Sequence, residues 1–110
     1  MIDDFARRRP NDVVRRAGTA FMAIEAAEDL IEEAFHEGIK VLGLDGFLID
    51  GEVVYPALSR IADFSADSPT GAYERAKELL RGQWVLPPTQ ADQMHSEARG
   101  RHMVDVVLDE

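Results

Sequence analysis

A chain of 110 residues without cysteine, with 21 acids against 12 lysines and arginines and a net charge of −9, excludes disulfides, thiolate metal sites and thiol catalysis. The acidity also argues against nucleic acid as a partner, because a phosphate backbone repels it. Hydrophobic residues make up 45% and charged residues 30%, a globular composition, and no apolar run approaches the roughly 20 residues that span a bilayer, so no membrane role is expected.

Residues 1–16 carry five Arg against three Asp, whereas 17–69 carry eleven acids against Lys40 and Arg60. Met1-Ile2-Asp3-Asp4-Phe5 lacks the basic start and apolar stretch of a signal peptide, so a cytoplasmic location is expected. Residues 1–10 read as an Arg-rich flexible N-terminus and 11–110 as one domain. Asn11 or Asp12 can cap a helix running to His36-Glu37, with Gly38 as its stop. Ala20, Phe21, Ile24, Ala27, Leu30, Ile31, Ala34 and Phe35 share its apolar face, and Gly18-Thr19 either bends it or divides it.

Beyond Gly38 the pattern turns β-like. Phe47-Leu48-Ile49 and Glu52-Val53-Val54-Tyr55 flank Asp50-Gly51, a strong hairpin signal, and Pro56 ends the second strand. Leu58, Ile61 and Phe64 at helical spacing predict a short helix. Ser68-Pro69 opens a second helix, with Ala72, Tyr73, Ala76, Leu79 and Leu80 inward and Gly82 as its stop. Trp84-Val85-Leu86 reads as a short strand, and residues 89–101 as polar and mobile. From His102 to Leu108 the chain alternates, with Val104, Val106 and Leu108 on one face and Met103, Asp105 and Val107 on the other. The fold class is α+β. A small, mostly antiparallel sheet (hairpin at about 46–55, C-terminal strand at about 102–108) is covered by a long N-terminal helix and a helix at about 69–81.

Leu44-Asp45-Gly46-Phe47-Leu48-Ile49-Asp50 resembles the D-x-D-G-T motif of haloacid-dehalogenase-type phosphatases, and the resemblance implies aspartyl-phosphate chemistry. Asp45 falls on the second Asp of that motif. Gly43, however, stands at the nucleophile and Phe47 at the phosphate-binding hydroxyl, so no covalent step can run. Asp45, Asp50 and Glu52 lack the alternation of a calcium loop. Glu33 and His36 form one Glu-x-x-His pair, where a di-iron site needs two. His36 instead reads as a surface residue of the last helical turn, and His95 and His102 belong to no triad or zinc pattern. No metal or cofactor is expected.

No constellation amounts to an active site, so a binding role is expected over catalysis. The first reading is a small acidic protein-binding module, of an inhibitor or immunity type, that masks a basic partner with Glu25, Asp29, Glu32 and Glu33. The alternative is a small-molecule-binding protein or enzyme, with a pocket between sheet and first helix near Glu28, Tyr55, Tyr73 and Trp84. A homodimer through an edge strand such as 102–108 is a third expectation.

Overall fold

The computed structural model describes residues 1–50, 53–82 and 101–110. Within them the chain runs α1 (Ile2–Arg8), β1 (Val13–Arg16), β2 (Thr19–Met22), α2 (Ile24–His36), β3 (Val41–Asp50), β4 (Val53–Asp63), α3 (Pro69–Arg81) and β5 (Arg101–Leu108). The five strands form one antiparallel sheet in the order β1-β2-β5-β3-β4. The α+β class therefore holds, with the helices on one face of the sheet.

The long first helix is corrected. Only Ile24–His36 is helical, and residues 13–22 form a hairpin with Arg16 opposite Thr19. Ala17 and Gly18 make the tight turn, with φ of 52° and 79°, the two positive angles that a two-residue turn between right-twisted strands requires. Ala20 and Phe21, expected on one helical stripe, alternate along β2 onto opposite faces. The Arg-rich start is also ordered as helix α1, whose Phe5 is 1% exposed and belongs to the main core.

Where the signals were local, the elements match. Gly38, at φ 75°, donates to the Phe35 carbonyl at 3.1 Å, and the Ile39 amide to that of Ala34 at 2.8 Å. This is the paired closure that a left-handed glycine allows at a helix end. The Ser68 hydroxyl accepts from the Gly71 amide at 3.0 Å, and Pro69 opens α3. Buried Ala26, Ala27, Leu30, Ile31 and Ala34 of α2 meet Ala72, Ala76 and Leu80 of α3 over Leu44, Val104 and Val106 of the sheet.

The central hairpin is longer than expected. Asp50 pairs with Val53, so Asp50 ends the strand, and the connecting residues 51–52 lie outside the described residues. The short helix expected at Leu58, Ile61 and Phe64 is instead the second half of β4, with Phe64 just past its end. Pro56 does not end that strand but lies within it, opposite Phe47. An edge strand tolerates proline because one side of its ladder is unpaired. From Asp45/Ile61 to Phe47/Pro56 the register advances two residues on β3 and five on β4. That irregularity breaks the alternation by which a strand is recognised. The Trp84-Val85-Leu86 strand and nearly all of the polar stretch 89–101 lie outside the described residues; its last residue, Arg101, opens β5.

The C-terminal strand keeps its alternation but not its expected place. It is no edge: β5 lies between β2 and β3, pairing at Met22↔Val104 on one side and from Val41↔Leu108 to Ile49↔Arg101 on the other. The sheet edges are β1 and β4.

Candidate protein-binding surface

Helix α2 carries the acids expected to meet a partner, and most of them are matched within the molecule. Arg8 of α1 grips Glu33 through two bonds of 2.9 and 3.0 Å. Arg9 donates to Asp29 and, at 2.9 Å, to Asp12. Lys77 of α3 donates to Glu32, as does the Tyr73 hydroxyl at 3.2 Å. Arg81 donates to Glu28. Glu25 is exposed at the start of the helix. The hydrogen bonds from Arg8 hold the Glu33 carboxyl below its ordinary range, and those from Lys77 and Tyr73 do the same for Glu32.

Of the four residues named for a ligand pocket, Glu28 and Tyr73 lie on the same α2–α3 layer but turn to different partners. Glu28 goes to Arg81, while Tyr73 stacks on Phe35 with ring centres 4.2 Å apart. Tyr55 belongs to β4 opposite Leu48, with its side chain outside the described residues, as is all of Trp84. Tyr73 does line an open groove of about 560 Å³ with Glu74, Lys77, Glu78, Arg81 and Gly82. His36 is exposed, edge-on to Phe35, and His95 and Glu52 lie outside the described residues.

The face of the sheet turned away from the helices is different. Alternation puts Phe21, Phe47, Ile49 and Met103 there as a second apolar cluster toward one end. Toward the other end the same face carries Asp45 and Asp105, which are direct cross-strand partners, with Ile61 beside Asp45 on β4. In the next row lie Val107, Gly43 and Asp63. Ile61 is 59% and Val107 39% exposed. Gly43 puts no side chain into this row, and a Cβ there would meet the Ala62 carbonyl oxygen at 3.0 Å. Asp63 accepts from the Ser65 amide at 2.8 Å, which with Lys40 nearby keeps it ionised.

Asp45 and Asp105 have no such support: among the described residues neither is bonded to a cation. Loss of hydration raises the Asp45 carboxyl above its ordinary range; it raises Asp105 too, and the charge on Asp45 adds to the rise. Like charges directly opposite across strands are destabilising. The sign follows from linkage: protonation relieves the pair, so their contribution favours the fold at low pH and is lost as pH rises through the raised values. Glu32, Glu33 and Asp3 act in the opposite sense, stabilising above the ordinary carboxylate range and losing that stability as pH falls. Carboxyl-detected NMR titration should therefore place Asp45 and Asp105 above, and Glu33 below, the ordinary range near about pH 4.

Sequence reasoning reaches Asp45 as part of a phosphatase-like string and of a trio of acids that lacks calcium-loop spacing, and Gly43 only as the missing nucleophile. Alternation had already turned Asp105 and Val107 to one face of their strand, but it could not say which strand lay beside it. Among the described residues, no group of three His, Asp or Glu side chains converges to hold a metal ion, and no helix is long and apolar enough to cross a membrane. Comparison of the chain with protein-family models, with curated proteins and with solved structures finds no match.

Proposed function

We propose that this chain is a cytoplasmic, acidic protein-binding module of an inhibitor type, and that its basic partner is engaged through the part of the second sheet face that carries Asp45 and Asp105 beside the exposed Ile61 and Val107. The observation that carries this reading is the unequal treatment of the acids. Asp29, Glu32 and Glu33 on α2 each have a cation from α1 or α3, whereas the opposed pair on the sheet has none among the described residues. A cation supplied by a partner would relieve both the repulsion and the lost hydration.

The same charge disfavours a second copy, since this face would meet acids with acids. The edges are defended as well: β1 is four residues long and ends in Arg15-Arg16, and β4 contains Pro56 and its register break. A partner of opposite charge fits the face better than self-association through an edge.

Titration of the ¹⁵N-labelled protein with polylysine tests this reading. The expected result is amide shifts concentrated at 43–45, 61–63 and 105–107 that vanish at high salt. Shifts concentrated on α2 would return the site to that helix, and a featureless spectrum would end the reading.

A further inference from the structure

Residues 1–16 hold five Arg against three Asp in a chain of net charge −9, and the fold sorts these arginines by direction. Arg8 and Arg9 turn to Glu33 and Asp29 of α2. Arg7 and Arg15 instead line a groove of about 690 Å³ with Asp3, Ala6, Pro10 and Val13. Periodicity builds its two walls. Asp3, Ala6 and Arg7 share one side of α1 at i, i+3 and i+4, with Pro10 just beyond the helix end, while Val13 and Arg15, two apart, share one face of β1. β1 is an edge of the sheet, so its outer side faces no strand. The Arg16 guanidinium, which donates to the Arg15 carbonyl at 2.8 Å, adds a third positive charge to that edge.

The groove already gathers one carboxylate. Exposed Asp3 accepts from Arg15. That hydrogen bond and the charge of Arg15 hold its carboxyl below the ordinary range, and the charge of Arg7 adds to the effect. Arg7 itself is exposed and bonded to no acid among the described residues. Two guanidinium groups thus converge on a single acid, and the groove keeps a surplus of positive charge over a floor of Ala6, Pro10 and Val13.

We propose that this groove docks an acidic, extended segment of a second partner protein. The segment lies along β1 with one carboxylate on Arg7, another on Arg15 in the place of Asp3, and aliphatic side chains between them over Ala6, Pro10 and Val13. Charge complementarity selects this occupant, and guanidinium groups suit carboxylates because they bind them through paired donors. The arginines that turn away another basic edge draw an acidic one. A nucleic acid would carry its row of phosphates beyond the arginines onto a chain with 21 acids, whereas a short peptide ends its charge where theirs ends. No residue of the groove belongs to the Asp45–Asp105 face, so the inference goes beyond the basic partner: the chain presents opposite charges to two partners.

The probe is a blocked pentapeptide of alternating glutamate and valine, titrated at low salt into the ¹⁵N-labelled chain. Its glutamine–valine counterpart, inorganic phosphate and a thymidine decanucleotide are the comparisons. The glutamate peptide should give saturable shifts at residues 3–7 and 13–16 that fade as salt is added, and the glutamine peptide and phosphate severalfold weaker ones. Arg7→Gln should weaken the response about threefold to tenfold and leave the melting temperature unchanged, since Arg7 holds no acid within the fold. Asp3→Asn should strengthen the response, because Arg15 then loses its internal carboxylate. Equal responses to the two peptides, parental binding by Arg7→Gln, or weaker binding by Asp3→Asn would overturn the proposal. So would phosphate matching the peptide, which makes the groove a simple anion site, or tighter binding of the decanucleotide, which assigns it to nucleic acid. Shifts at the same residues on concentrating the chain alone would assign it to a second copy and overturn the proposal as well. The polylysine titration probes the other face, so either reading can fail without the other.

Discussion

Replacing Phe5 by alanine is expected to cost about 3–5 kcal/mol, the range for emptying a buried aromatic site. A flexible terminus would register almost nothing, so the experiment separates two descriptions of residues 1–10. The ring is 1% exposed and packs in the main core, and the Arg8 and Arg9 guanidinium groups lie 5.8 and 5.2 Å from its centre. The same two arginines reach Glu33 and Asp29 on α2. These exposed pairs contribute little singly; their geometry depends on the ring holding α1 in place. Urea unfolding of Phe5→Ala beside Arg8→Ala checks this. A large loss for the first and a small one for the second is expected, and equal small losses would return α1 to the status of a frayed end.

The second large effect is expected at Met22, where truncation to alanine should cost about 2–5 kcal/mol. Met22 is 0% exposed and, paired with Val104, supplies the register contact between β2 and β5. The β1–β2 hairpin thus joins the rest of the sheet across a narrow seam, while β3 and β5 pair along most of their length. Local opening follows such weak seams. Hydrogen exchange of Met22→Ala should show faster exchange at residues 13–22 than at 101–108. Uniform acceleration across the sheet would show that the seam does not open as a separate unit.

Legibility in the sequence tracked the range of the interaction. Ser68-Pro69, Gly38 and the alternation of 102–108 act within a few residues, and each stands where it was read. The 13–22 hairpin was missed because four-residue strands are too short to show a period of two, and because Ala-Gly is a weaker turn signal than Asn-Gly. Ala20, Phe21 and Ile24 then fell by chance at helical spacing. At 57–64 Leu58, Ile61 and Phe64 stand three apart in sequence, which imitates a helix, while β4 runs on to Asp63. The matching of α2's acids depends on α1 and α3 folding back over it. The Asp45–Asp105 opposition depends on a register across sixty residues of chain, which no local pattern encodes.

The place of β5 bears on how the protein is made. Of the described strands, the one latest in sequence fills the middle of the sheet, between the hairpin at 13–22 and the hairpin at 41–63, both of which precede it. Until residues 101–108 emerge, β2 and β3 both present unpaired inner edges, and the apolar surface of α2 has no Val104 or Val106 to cover. A nascent chain in that condition invites wrong pairings with its neighbours. The eleven acids of residues 17–69 give such incomplete chains like charge, and like-charged chains repel one another.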